Sequence, residues 1–270
     1  MSLLRFVRGP RRFRWREKLL ETVVTPLDGR EFRFRCASET DVWRARTLAT
    51  KEAGTIEWIR TAVQPGDVFF DVGANIGLYS LFAAARVGRS GKVFAFEPHA
   101  ENFLSLMRNI AANGFGDVVR PLSCALHDRE GTFDFNYNSL VSGSSMSQLD
   151  GTKDGDENEF APVFREGKLG VRLDTLVFDW GLPAPTHVKI DVDGNEMPIL
   201  HGMQRVLSAP AKPRTMQVEI NQRYRDELFR FLADCGYVQY HRHDTEHGKQ
   251  LIASGKDPEQ VAHNALFRPA

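Results

Sequence analysis

The stretch VFFDVGANIGLYS, residues 68–80, limits what this chain can fold into more than any other. Val68-Phe69-Phe70 is a short, β-rich apolar run that follows Pro65-Gly66-Asp67, and it reads as a strand buried on both faces. The strand runs into Asp71 and then into a turn carrying Gly73, Asn75 and Gly77. Residues 78–85, LYSLFAAA, have helical composition. A strand, a glycine turn and a helix in that order bring backbone N–H groups to a helix start, where a ligand can approach closely. About twenty residues on, a second apolar strand, Lys92-Val93-Phe94-Ala95-Phe96, ends in Glu97-Pro98. An acid at the tip of a second strand can accept hydrogen bonds from both hydroxyls of a ribose. Together the two pieces describe the first half of a nucleoside-binding α/β sheet.

Two cofactor classes compete for such a sheet. The dinucleotide fingerprint requires G-x-G-x-x-G. Counted from Gly73, those positions hold Gly73, Asn75 and Leu78, so the fingerprint fails. The spacing present is G-x-N-x-G with Asp71 two residues upstream. It resembles the first motif of S-adenosylmethionine-dependent methyltransferases, with Asn in place of the middle Gly.

The rest of the chain supports a single class of architecture. At 270 residues it is long enough for one large α/β domain or two small ones. Residues 22–36 alternate around Asp28-Gly29 and read as a β-hairpin, and 41–63 read as helical with Trp43, Leu48, Ile56, Trp58 and Ile59 as packing positions. This region is expected to cover one edge of the sheet. A helix over Glu101–Ile110 ends at Asn113-Gly114, and strands follow at 118–126 and 131–137. Residues 138–161 turn Ser-rich and then acidic, and read as a long loop or lid. The remaining expectations are strands at 187–192, 215–220, 237–240 and 264–267, with helices at 198–207 and 223–232. Strands alternating with helices argue for a doubly wound sheet with right-handed crossovers.

Charge and cysteines exclude several classes of function. Thirty-five Lys and Arg balance thirty-five Asp and Glu, so the net charge makes no case for nucleic acid. Cys36, Cys124 and Cys235 have neither disulfide nor zinc spacing, which points to a reducing, cytoplasmic setting. No apolar run reaches the length of a membrane span, and Arg5 and Arg8 interrupt any signal-peptide core. Residues 1–20 carry seven positive charges against Glu17, with Phe6, Phe13 and Trp15 interleaved. They read either as a docking segment for an anionic membrane surface or acidic partner, or as a solvated extension. DVDGNE at 191–196 is not a calcium loop, because Gly194 comes fourth after the first Asp rather than sixth. His241, His243 and His247 read as a solvated loop.

The pieces DVGANIGLYS at 71–80, FEP at 96–98, RLDTL at 172–176, KIDVDGNE at 189–196, LHG at 200–202 and VEIN at 218–221 resemble, in this order, the FkbM-type methyltransferases. The resemblance covers roughly residues 50–240. It implies a Rossmann-like, seven-stranded methyltransferase sheet over 51–270, with residues 1–50 as a basic extension and hairpin packed on it. It implies S-adenosylmethionine as methyl donor and O-methylation of a small acceptor, a sugar, glycan or secondary metabolite. Gly73, Asn75 and Gly77 would line the cofactor's amino-acid end with Asp71 beneath it. Glu97 would take the ribose, and the turn at Leu126-His127-Asp128 would lie against the adenine. Asp191 ends the fourth core strand at the crevice where open α/β sheets bind ligands, which makes it the candidate general base or polar anchor. Glu196 would support it by orienting the loop or capping the next helix. Glu219 and Asn221 beside it leave room for a magnesium-like cation with water, which the family does not demand. The competing readings are a nicotinamide-dependent oxidoreductase and a cofactor-binding module without catalysis.

Overall fold

A computed structural model describes residues 20–270. The two readings of the basic segment therefore concern residues that lie, apart from the last, outside the described part of the chain.

The chain opens with a hairpin, β1 (Glu21–Leu27) and β2 (Arg30–Cys36), turned at Asp28 and Gly29 with both residues at positive φ. Alternation along it buries Val23, Leu27, Phe32, Phe34 and Cys36 on one face. The expected helix over 41–63 is two helices, α1 (Glu39–Arg46) and α2 (Ala53–Ala62). The break falls at 47–52 rather than at Gly54, which lies inside α2. Of the expected packing positions, Leu48, Ile56, Trp58 and Ile59 are buried, whereas Trp43 is 50% exposed.

The main sheet follows with β3 (Val68–Val72), β4 (Lys92–Phe96), β5 (Val119–Leu122), β10 (His187–Ile190), β11 (Thr215–Ile220), β12 (Tyr237–His243) and β13 (His263–Pro269). Its order is β12-β13-β11-β10-β3-β4-β5, parallel except at β13, which is antiparallel to both neighbours. Strands β3 and β10 are adjacent although far apart in sequence, and the chain reverses its direction of travel between them. That is the switch point of a doubly wound sheet. The loops after these strands meet there.

Both faces of the sheet are covered, which is why its strands read as unbroken apolar runs. On one face α3 (Leu78–Val87), α4 (Ala100–Ala112), α1, α2 and the hairpin share one core with Phe69, Val93 and Ala95. The hairpin thus lies on the helix layer, not on a sheet edge as expected. Asn109 and Asn113 of α4 and its C-cap bond the backbone of Arg35 and Arg33, replacing a neighbouring strand. The other face packs α5 (Leu173–Phe178), α6 (Glu196–His201), α7 (Gln204–Ser208) and α8 (Arg225–Asp234).

A second, four-stranded sheet was not expected. It comprises β6 (Ala125–Leu126), β7 (Gly131–Tyr137), β8 (Gln148–Leu149) and β9 (Phe164–Val171) in the order β6-β9-β7-β8. The expected strand over 118–126 divides at Ser123-Cys124 between the two sheets. The histidines of H-x-H-x₃-H lie in β12 and in α9 (Glu246–Ala253), not in a loop. Among the described residues no helix is long and apolar enough to cross a membrane.

Candidate functional site

At the carboxyl ends of β3, β4 and β10 a cleft encloses about 660 Å³, part of it open to solvent. Strand β3 delivers Val72, Gly73 and Asn75, and β4 delivers Glu97 and Pro98. Asp191 and Asp193 come from the end of β10, while Leu126, Phe135 and Leu149 come from the small sheet. One wall is therefore polar, and the other is apolar with room for a flat base.

The glycine turn is shaped by contact rather than by a ligand. Gly73 has φ +81, and a Cβ there would run into the Asp191 carbonyl oxygen, so only glycine lets β3 and β10 close at this height. Its N–H and that of Ala74 both donate to Phe96 O at 3.0 Å. Asn75 N donates to Glu97 Oε2 at 2.6 Å, Ile76 N to Asn75 Oδ1, and Gly77 N to Ala74 O. All the turn's amides are thus taken inside the fold, and none is left to cradle a phosphate. This corrects the expectation that the turn presents N–H groups to a ligand. Gly77 does not line the cleft; it stands at φ +92 before α3, tight against Leu106.

Glu97 is buried in the cleft wall with Oε2 on Asn75 N and Oε1 on His99 N. Burial pushes its carboxyl up to about 7, against the pull of those two amides. A carboxylate that accepts one bond at each oxygen keeps further acceptor capacity, and Glu97 lines the cleft.

Asp71 is fully buried and does not line the cleft. It accepts from Ser80 Oγ at 2.5 Å and faces Lys189 Nζ at 3.8 Å. Burial pushes its carboxyl up, against Lys189 and Ser80. Lys189, the buried lysine of β10, reaches past it to Asp191 Oδ2 at 2.7 Å. Burial, the largest single effect, works against the charge on Asp191, but Lys189 together with Lys51 and Arg44 holds the carboxyl below its usual range. Asp191 is thus an ionised acid whose side chain is partly open to the cleft.

Glu196 stands behind the site. It is buried, accepts from Val192 N, Gly194 N and Asn221 Nδ2, and fixes the 191–194 turn. Burial pushes it up to about 7. Of the Leu126-His127-Asp128 turn only Leu126 lines the cleft; Asp128 is exposed and pairs with His127 Nδ1 at 2.6 Å. The cation reading finds no support: Asn221 spends its amide on Glu196, and no His, Cys, Asp or Glu cluster among the described residues could hold a metal.

The loop after β7 supplies residues the sequence did not single out. Ser144, Ser145, Met146 and Ser147 line the cleft opposite Asp193. Ser144 O accepts from both Asn75 and Asn102 side chains, Gly143 N donates to Asn102 Oδ1, and Met146 N donates to Asp193 Oδ2. Asn75, Met146 and Asp193 all hold positive φ, and such strained backbone gathers at ligand sites. The length and serine content of 138–161 were the only sequence signal for this roof.

The sequence profile of the methyltransferase FkbM domain matches residues 71–238, well over half of the chain. The hexuronic acid methyltransferase AglP of Haloferax volcanii is 28% identical over 190 residues, covering 69% of this chain and 70% of that protein. The 31-O-demethyl-FK506 methyltransferase FkbM of Streptomyces tacrolimicus is 29% identical over 173 residues, 53% of this chain and 61% of that one. A Clostridium thermocellum structure described as an rRNA-methylase superposes with a TM-score of 0.50 at 10% identity, covering 82% of this chain and 96% of its own. That likeness speaks to the fold alone.

Proposed function

Because the chain belongs to the FkbM methyltransferase family, we propose that it moves a methyl group from S-adenosylmethionine to a hydroxyl oxygen of a small acceptor, in the sugar or secondary-metabolite class. The observation that carries the reading is Glu97, a buried acid held at the tip of the second strand beside a glycine turn with no amide to spare. A pyrophosphate needs free N–H groups at that turn. A nucleoside with a cationic sulfonium does not, so the arrangement weighs against a nicotinamide dinucleotide. The sugar acceptor is favoured by the relative whose name specifies hexuronic acid.

The cleft residues fit the donor. Glu97 would hold the ribose hydroxyls, Leu126, Phe135 and Leu149 the base, and Gly73 and Asn75 the amino-acid end. The donor supplies an electrophilic methyl on a sulfonium. Asp191 would accept a hydrogen bond from the acceptor hydroxyl, align the oxygen and receive its proton as the bond to carbon forms. Lys189 keeps Asp191 ionised for that role, and Glu196 keeps the turn that carries it in place.

Calorimetric titration of the chain with S-adenosylhomocysteine and, in parallel, NAD tests the cofactor. Micromolar binding of the first alone is expected; binding of NAD alone, or of neither, overturns the reading. In Asp191→Ala, S-adenosylhomocysteine affinity is expected to stay within about threefold while methyl transfer falls by a hundredfold or more, the loss typical of a general base. Collapse of affinity instead would move Asp191 into the cofactor site.

A further inference from the structure

Three side chains beside the cleft have no part in the reading so far. Trp43 of α1 is half exposed although α1 is packed on the core. Its neighbour Arg44 is partly buried and donates from Nε to Gly143 O at 2.6 Å. The next residues of that loop, Ser144 to Ser147, line the cleft. The terminal nitrogens of Arg44 make no hydrogen bond or ion pair with the described residues. Lys51, between α1 and α2, places Nζ 6.0 Å from the Trp43 ring and 2.9 Å from Glu52 Oε1. Both cations pull on the carboxyls of Asp191 and Asp193; that of Asp191 lies below its usual range, while burial and Asp191 leave that of Asp193 raised. An exposed indole, a guanidinium with free donors and an ammonium therefore stand near one another beside the loop that roofs the cleft.

We propose that Trp43, Arg44 and Lys51 form the acceptor subsite, and that the acceptor is an anionic sugar, a pyranose bearing a carboxylate. The proposal rests on the methyltransferase reading above and names the substrate class of the same site. A flat indole, apolar on its face, offers a platform for the C–H face of a sugar ring. The planar fork of Arg44 matches a carboxylate in two-point contact, and Lys51 adds a compact charge beside it. The terminal nitrogens of Arg44 have no acceptor among the described residues, and a ligand oxyanion would engage them in place of water. Asp191, Asp193 and Glu219 crowd the strand ends, and burial and these neighbours push Glu219 well up. A neutral sugar would take only ordinary hydrogen bonds from Arg44 and Lys51. A uronate would be held by them at one end of its ring, leaving a hydroxyl to face Asp191.

The test uses the full chain saturated with S-adenosylhomocysteine and two probes, p-nitrophenyl β-D-glucuronide and p-nitrophenyl β-D-glucoside, titrated calorimetrically. The glucuronide is expected to bind at least about tenfold more tightly, the scale of one charge-assisted contact. Arg44→Ala and Lys51→Ala should erase that preference. Trp43→Ala should weaken both probes alike. S-adenosylhomocysteine affinity should change by less than about threefold in all three variants. Equal affinity for the two probes overturns the proposal, as does binding of neither to the loaded chain or a preference that survives both charge removals. A loss of S-adenosylhomocysteine binding in Arg44→Ala assigns that arginine to the cofactor and also overturns it. Failure of the wild-type chain to bind S-adenosylhomocysteine is a failure of the methyltransferase reading itself, and is read from the first titration.

Discussion

At the scale of the residue, the site depends on how buried charges are held. Glu97 titrates near neutrality because burial opposes its ionisation more than two backbone amides favour it. Its ionised form has the lone pairs a ribose needs. Affinity for S-adenosylhomocysteine should therefore rise as pH passes upward through about 7. Glu97→Gln should flatten that dependence and weaken binding about tenfold or more, measured by calorimetry from pH 6 to 8. Lys189 is the sole cation within 4 Å of the fully buried Asp71 among the described residues. Lys189→Met should cost about 3–5 kcal/mol at pH 8, since it strands a buried carboxylate. Without Lys189 the folded-state value of Asp71 rises further above its unfolded value. The penalty is then present above that raised value and shrinks as pH falls through it, because protonation removes the charge. Denaturant melts at pH 8 and pH 5 should show the larger loss at pH 8. The sequence marked Asp71 and Asp191 as notable, but their pairing through Lys189 needs the register of β3 against β10, which sets Asp71 opposite Lys189.

At the scale of the element, the loop after β7 is the part of the site that the sequence left unassigned. It is held by side chains from elements far away: Asn75 after β3, Asn102 of α4, Asp41 and Arg44 of α1, and Asp193 after β10. Asn102 alone supplies two of these bonds, to Gly143 N and Ser144 O. Asn102→Ala should raise hydrogen exchange at residues 139–147 by about tenfold while β3 and β4 stay protected. Its global cost should be about 1–2 kcal/mol. Equal exchange in both proteins would mean the loop is held by its other bonds. No periodicity could have announced this order, because an irregular segment has no repeating pattern, and its partners are separated from it by 40 residues or more.

At the scale of the whole molecule, the hairpin and the methyltransferase sheet share one core. Phe32 and Phe34 are fully buried against the helix layer that packs on β3 and β4, with Phe32 edge-on to Phe82 of α3. Phe34→Ala should therefore cost about 3–5 kcal/mol and lower a single thermal transition rather than melt the hairpin separately. Two resolved transitions in calorimetry would show the hairpin to be an independent unit. The strands of the main sheet, the glycine turn, the acid after β4 and the acid after β10 were all legible in the chain, because each is a local pattern: an apolar run, a turn residue, a polar tip. The identity of the family was legible for the same reason, since its motifs are short and ordered. What only the tertiary structure decided is which of these residues face the cleft. It kept Asp71 and Gly77 off the cleft, put Asp128 in solvent, satisfied the turn's amides internally and brought in Asn102 and the loop. Those outcomes depend on parallel register, on close approach at Gly73 and on hydrogen bonds between distant segments. Such long-range distances are set only when the whole sheet closes.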